Sequence, residues 1–252
     1  MMFEGIKNKR VLLTGATGGM GVAMAVLFAE YGARLGLQYQ NNDKQASELL
    51  ASVNRKAEAE TFRANLMETS AAKDLVKSFI KRFGGIDVLI NNAGAVHDYA
   101  HFSALDEKSW QTTFDLNAKA PFYLSGEAFN YMKEHGGGKI VNISSVNVKY
   151  GGSAKSIHYV ASKAALESIM RSFAKEGAQY NILVNAIRPG VIDTPMRTRV
   201  AGYNEEDFAR RVNMVPLKRA GKPIDVARMA LFLASEAGDF ITGEIFTVAG
   251  GD

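Results

Sequence analysis

Hydrophobic positions along the chain fall into two alternating patterns. Short apolar runs recur, and longer stretches between them repeat their apolar residues with the period of a helix. Val11-Leu12-Leu13 leads into a helical stretch from Gly19 to Tyr31. Arg34 to Tyr39 reads as a strand, Asp43 to Lys56 as a helix, Ala59 to Arg63 as a strand and Thr69 to Phe83 as a helix. Asp87 to Ile90 is a short apolar run closed by Asn91-Asn92-Ala93-Gly94. One long helical region is expected from Asp106 to Lys133, then a strand from Lys139 to Ile143 and a helix from Tyr159 to Tyr180. Ile182 to Ile187 (strand), Pro223 to Ala234 (helix) and Glu244 to Val248 (strand) complete the pattern.

Runs that are apolar throughout, rather than alternating with polar residues, belong to strands covered on both faces. Strictly alternating β and α elements therefore predict an α/β fold of the Rossmann type: a doubly wound parallel sheet of about seven strands, with helices on both faces. No composition shift or repeat marks a linker, so residues 1–252 are expected to form a single dinucleotide-binding domain. The long irregular stretch from about 188 to 222 is expected to be a substrate lid, since loops of that length in compact domains are usually functional.

Composition narrows the function by exclusion. Hydrophobic residues make up 47% of the chain, enough for a sizeable core. The net charge of +4 is dispersed, without the clustered Lys and Arg of a nucleic-acid or membrane surface. The absence of cysteine excludes disulfides and thiolate metal sites. His97, His101, His135 and His158 have no ligand-like spacing, so no metal is expected. The charged N-terminal segment lacks the apolar core of a signal peptide, and no apolar run approaches a bilayer's thickness. A cytoplasmic protein is the expectation.

The first chemical signal follows the first strand, in Thr14-Gly15-Ala16-Thr17-Gly18-Gly19-Met20-Gly21. Glycines there let the backbone approach a pyrophosphate while the next helix offers its N-terminal amides. No Lys-Ser or Lys-Thr follows, which excludes a P-loop. At the end of the second strand, where a carboxylate would bond the ribose 2′-hydroxyl of NAD, the chain carries Tyr39 and Gln40. Without that carboxylate a 2′-phosphate is not repelled, though no arginine stands at the end of that strand, so NADP is favoured over NAD. The second signal is Tyr159 and Lys163, four residues apart and so neighbours on one helix face. An ammonium beside a phenol lowers its pKa from about 10 toward the range useful for proton transfer.

Together these motifs resemble the short-chain dehydrogenase/reductase family over essentially the whole chain, most closely its 3-oxoacyl-carrier-protein reductase-like branch. The resemblance extends to the NNAG segment at 91–94, Asn117 in Leu116-Asn117-Ala118, Ser144-Ser145, Pro189-Gly190 with Thr194, and the closing Ala249-Gly250-Gly251. It implies an NAD(P)-dependent oxidoreductase that reduces a ketone, a 3-oxoacyl thioester among the candidates, to a secondary alcohol, or runs the reverse. Ser145, Tyr159, Lys163 and Asn117 would be its catalytic set: Ser145 donating to the carbonyl oxygen, Tyr159 delivering the proton, Lys163 binding ribose hydroxyls and Asn117 holding a water. Asn117 can also be read as a buried amide satisfied by backbone. The dinucleotide would lie against Gly15, Thr17, Gly19, Met20, Gly21, Tyr39, Gln40, Asn65, Leu66, Asn92, Ala93, Gly94, Tyr159, Lys163, Pro189, Gly190, Ile192 and Thr194.

Adjacent strand residues face opposite ways, so only one of Ser144 and Ser145 can face the site, and Ser145 is chosen. Val146, Val148, His97, Tyr99, Ile157 and Val191 are candidates for an apolar substrate pocket, whereas His158 is expected to turn away from Tyr159. Relatives in the branch dock an acidic acyl carrier protein on arginines. Here Glu134-His135 and Gln179-Tyr180-Asn181 stand instead, with Lys133, Lys139 and Lys175 nearby. The helices at 106–133 and 159–180 carry apolar residues beyond one face, and because their counterparts in the family pair across two-fold axes the resemblance implies a homotetramer. The alternative to an enzyme is a catalytically silent dinucleotide-binding regulator or scaffold.

Overall fold

Seven parallel strands form one sheet in the order β3-β2-β1-β4-β5-β6-β7. They are β1 (Arg10–Leu13), β2 (Arg34–Tyr39), β3 (Ala59–Arg63), β4 (Val88–Asn91), β5 (Gly138–Ile143), β6 (Ile182–Pro189) and β7 (Ile245–Val248). The computed structural model describes residues 3–195 and 205–252. Side-chain alternation divides each apolar strand between two cores. Val11, Leu13, Val88, Ile90, Val141 and Ile143 pack on one face under α1 (Gly19–Glu30), α2 (Asp43–Val53) and α9 (Pro223–Ala234). Leu12, Leu89, Ile140 and Val184 pack on the other, under α3 (Thr69–Phe83), α5 (Ala120–Glu134) and α7 (Ile157–Gly177). This is the doubly wound α/β fold expected from the continuous apolar runs.

Chain order reverses between β1 and β4, which are neighbours with their loops diverging to opposite sides. Ligands of open α/β sheets bind at the carboxyl ends of strands at such a switch point. The switch is tied together by side chains. Asn92 Nδ2 donates to the carbonyls of Thr14 (2.9 Å) and Gly15 (3.0 Å), and Thr14 Oγ1 accepts from the amides of Asn92 and Ala93.

Three central strands also carry buried asparagines. Asn91 on β4 donates to Asn142 Oδ1 on β5 at 2.9 Å and to Ser125 Oγ on α5 at 3.0 Å. Asn142 reaches the Asn185 carbonyl on β6, and Asn185 in turn bonds Ile241 O and the amide of Glu244. Amides this deep persist because their partners replace water.

The long helix expected over 106–133 is broken. It consists of α4 (Glu107–Phe114), a π-turn at Asp115–Lys119, and α5. Pro121, in the first turn of α5, lacks the N–H that an α-helix would donate to the carbonyl of Asn117, which removes one bond of the α register. Pro121 was the signal for that break. Other differences are smaller. A single turn, α6 (Asn147–Tyr150), follows β5, and α7 begins at Ile157 and ends at Gly177, followed by a 3₁₀ turn. Within the 188–222 stretch expected to be an irregular lid, Glu205–Met214 is helical (α8); residues 196–204 of that stretch lie outside the described residues.

Candidate active site

Two adjoining clefts open at the carboxyl ends of the strands. The first, about 560 Å³, is lined by the β1–α1 loop, the end of β2 and residues 92–96. Gly15 turns there with φ +62°, and a Cβ on it would lie 2.8 Å from the Cα of Ala93. A Cβ on Gly21 would sit 2.3 Å from the Gly15 carbonyl, so helix α1 starts hard against its own loop. That approach leaves a backbone-lined floor at the N-terminus of α1, the environment a pyrophosphate requires. The residues present therefore fit a dinucleotide.

Of the cofactor contacts expected from the sequence, Gly15, Thr17, Gly19, Met20, Gly21, Tyr39, Gln40, Leu66, Asn92, Ala93, Gly94 and Thr194 line this cleft. Asn65 stands behind it, accepting from Gln40 Nε2 at 3.0 Å. Gln38 was not foreseen. Its buried amide accepts from the Gly15 amide at 2.8 Å and donates to the Ala64 carbonyl at 2.9 Å, bracing the glycine loop against β3. A polar residue inside an otherwise apolar strand was the available signal.

The second cleft, about 670 Å³, has Ser145 and Tyr159 in its wall with Gly190 and Ile192, and shares Thr194 with the first. Tyr99, Val146 and Val191 line it, as expected; His97, Val148 and Ile157 are not among its described lining residues. Tyr150, Phe208, Met214 and Pro216 supply the remaining large apolar surface. His158 does turn away from the site: it is buried, with Nε2 bonded to the His97 carbonyl at 2.6 Å.

The two serines separate as strand alternation requires. Ser145 faces the second cleft beside Tyr159, whereas Ser144 Oγ donates to Glu167 Oε1 at 2.6 Å. Lys163 is buried on the same helix face as Tyr159, its Nζ donating to the Ile143 carbonyl at 2.8 Å and lying 6.0 Å from the Tyr159 ring centroid. A Cβ on Gly94 would meet Lys163 Nζ and Asn117 Oδ1, each at 2.9 Å, so both lie directly behind this wall residue of the first cleft without being among its described lining residues. Asn117, on the π-turn, gives Nδ2 to Ala95 O (2.8 Å) and Ser162 Oγ (3.1 Å) and accepts from Ala95 N (3.0 Å). Its side chain thus fastens the 92–95 segment to α7. Pro189 accepts from the Val146 amide at 3.0 Å, joining the ends of β5 and β6.

The electrostatics differ from the expectation that Lys163 would lower the Tyr159 pKa. Burial pushes the phenol above its ordinary value, and the neighbouring Ser145 hydroxyl draws it only partly back. Burial also lowers Lys163 from 10.5 to about 8, because a desolvated ammonium loses its hydration.

A family model described as enoyl-(acyl carrier protein) reductase matches residues 15–252. The chain belongs to the short-chain dehydrogenase/reductase family. This short-chain reductase is an NAD(P)-dependent oxidoreductase of the kind that interconverts ketones and secondary alcohols. It is 35% identical over 252 residues to the 3-oxoacyl-[acyl-carrier-protein] reductase FabG of Thermotoga maritima, covering 98% of each chain. It is 36% identical over 251 residues to the 3alpha-hydroxysteroid dehydrogenase of Mediterraneibacter gnavus, covering 99% of this chain and 98% of that one. Among solved structures, the blue fluorescent protein from a metagenomic library, in complex with NADPH, superposes with a TM-score of 0.89 at 29% identity, over 97% of this chain and 98% of that one.

Proposed function

We propose that the protein is a ketone reductase in which Tyr159 is the proton donor, Ser145 the carbonyl-oxygen donor, Lys163 the cofactor-binding cation and Asn117 the anchor of the cofactor loop. The carrying observation is that Ser145 and Tyr159 stand together in the wall of an apolar cleft that meets the glycine-loop cleft at Thr194. The bound dinucleotide would supply the hydride to the carbonyl carbon. Charge then developing on the carbonyl oxygen meets two donors, Ser145 Oγ–H and the Tyr159 hydroxyl, and the Tyr159 proton passes to that oxygen. A phenol whose pKa is raised by burial stays protonated at neutral pH, which supports the reductive direction.

NADP is the favoured cofactor. Gln40 and Asn41 line the end of the cleft, and beside them on the neighbouring strand stands an arginine whose Nη1 lies 3.8 Å from the Asp43 carboxylate. Arg63 on β3 pairs in register with Tyr39, and its Nε donates to the Gln40 carbonyl at 3.1 Å. A guanidinium there supports recognition of a 2′-phosphate. The apolar lining from Tyr99, Tyr150, Phe208 and Met214 supports a bulky apolar ketone, and the likeness to the T. maritima enzyme supports a 3-oxoacyl thioester within that class.

Docking of an acyl carrier protein has weaker support, since Lys139 is engaged by Asp239 (2.6 Å) and the Ser235 carbonyl, and Lys133 lies over Tyr180. One domain with a lid near 188–222, a cytoplasmic location and a homotetramer complete the reading. Exposed Trp110 and Phe122, on α4 and α5, support the assembly. No described helix is long and apolar enough to cross a membrane.

The test is nicotinamide absorbance with cyclic ketones and a 3-oxoacyl thioester. Tyr159→Phe is expected to lose about 10²–10⁴-fold in kcat while still binding the cofactor. Equal turnover by both proteins would overturn the tyrosine assignment, and no turnover of any substrate would favour a silent dinucleotide-binding protein.

A further inference from the structure

One buried carboxylate near the site has no part in the chemistry above. Glu167 is 2% exposed on α7, four residues beyond Lys163 and eight beyond Tyr159, and therefore on the same helix face. Its Oε1 accepts from Ser144 Oγ at 2.6 Å and from Arg188 Nε at 2.7 Å, and its Oε2 accepts from Arg188 Nη2 at 2.5 Å. The Arg188 contact is the two-bond fork that fixes angle as well as distance.

Each partner belongs to a different element of the site. Ser144 immediately precedes Ser145 at the end of β5, and its amide bonds the Ile187 carbonyl of β6 at 2.7 Å. Arg188 immediately precedes the Pro189–Gly190 segment in the wall of the second cleft. A buried carboxylate that merely filled space would cost more than an apolar side chain of its size. This one joins the helix carrying Tyr159 to the two strand ends that face it.

We propose that Glu167 is a positioning residue: through Ser144 and Arg188 it holds Ser145 and the Pro189–Gly190 segment in register with Tyr159. This rests on the reading of Ser145 and Tyr159 as the donor pair. Ser145 and Tyr159 line the same cleft, and Glu167 acts on their spacing from behind the strand. Misplacement by an ångström is enough to lower a rate severalfold or more, even when every reacting group is still present.

Ser144→Ala is the discriminating variant. It cuts the link from Glu167 to β5, leaves the Glu167–Arg188 pair intact and alters no charged group, neither Lys163 nor Arg211 and Asp252 in the cleft wall. We expect kcat to fall about tenfold, well short of the roughly 10²–10⁴-fold loss of a proton donor. We also expect the Tyr159 pKa to rise, as it would in Ser145→Ala. That pKa is read from near-ultraviolet tyrosinate absorbance after subtraction of the same titration of Tyr159→Phe, and needs no turnover. On a Ser145→Ala background, Ser144→Ala should change neither quantity further, because its effect passes through Ser145. Equal losses on both backgrounds, or an unmoved Tyr159 pKa in Ser144→Ala, would overturn the proposal. Full activity in Ser145→Ala would instead overturn the donor-pair reading, and the absorbance titration would still decide whether Ser144 governs the Ser145–Tyr159 spacing.

Discussion

Lys163→Met should make the protein more stable while disabling it, and the size of the gain can be worked from the site. Lys163 is 3% exposed, and burial lowers its pKa from 10.5 to about 8. Lowering of that size means the fold opposes the ammonium by about 3 kcal/mol. Against that stands the bond to the Ile143 carbonyl, which contributes about 1 kcal/mol net. Methionine fills a similar unbranched volume without a charge. The expected gain is therefore about 2 kcal/mol at neutral pH, or about 6 °C in Tm for a chain of this length.

Its pH dependence has a definite sign. Below about pH 8 both folded and unfolded parent chains hold the Lys163 proton, and the penalty is fully present. Between about 8 and 10.5 the unfolded chain keeps a proton that the folded chain has released, so the parent gains stability as pH rises. The Lys163→Met advantage of about 2 kcal/mol should shrink across that window, vanish within it and reverse toward its upper end, because the parent recovers about 3 kcal/mol there. Urea denaturation of both proteins without added cofactor, at about pH 7 and about pH 10, measures it. A variant less stable than the parent at neutral pH, or a difference that ignores pH, would refute the reasoning.

Two further outcomes follow from the cofactor cleft. Arg63→Ala should weaken NADP binding by about tenfold, the loss of roughly 1.4 kcal/mol of charge-assisted hydrogen bonding, and leave NAD binding nearly unchanged. Thermal shift with each dinucleotide compares them, and equal effects on both would remove Arg63 from the 2′-phosphate site. Gly21→Ala should abolish dinucleotide binding before it unfolds the protein, because its Cβ would collide with the Gly15 carbonyl that shapes the loop. Parent-like affinity in titrations of nicotinamide fluorescence would contradict that geometry.

Much of this architecture was legible in the chain because it depends on local periodicity. Apolar runs covered on both faces left little choice but a parallel sheet, and the spacing of Tyr159 and Lys163 put them on one helix face. Strand alternation allowed only one of Ser144 and Ser145 to face the site, and the family's spacing between serine and tyrosine put Ser145 forward. Features that depend on pairing across the sheet were out of reach. Arg63 stands 23 residues from Gln40, and only the β2–β3 register brings its guanidinium to the Gln40 carbonyl. The Tyr159 pKa depends on burial, which spacing does not report; the lysine was expected to dominate, and desolvation outweighs it. Asn117 was legible as a residue of the site and, in its alternative reading, as a buried amide satisfied by backbone; that the backbone is Ala95's was not, since the contact requires the π-turn beneath Pro121.

The buried asparagines of β4, β5 and β6 bear on how the sheet assembles. Val-Leu-Ile-Asn, Lys-Ile-Val-Asn-Ile and Ile-Leu-Val-Asn-Ala-Ile are nearly interchangeable as greasy ribbons, and apolar contact alone distinguishes poorly between one alignment and the next. The amides are not interchangeable. Sliding β5 by one residue against β4 would turn Asn142 to the opposite face and strand Asn91 without its 2.9 Å partner, a penalty of about 1–3 kcal/mol for each orphaned amide. Three polar residues in an oily interior thus act as a proofreading key for the alignment, rejecting mispaired sheets before any ligand tests the clefts above them.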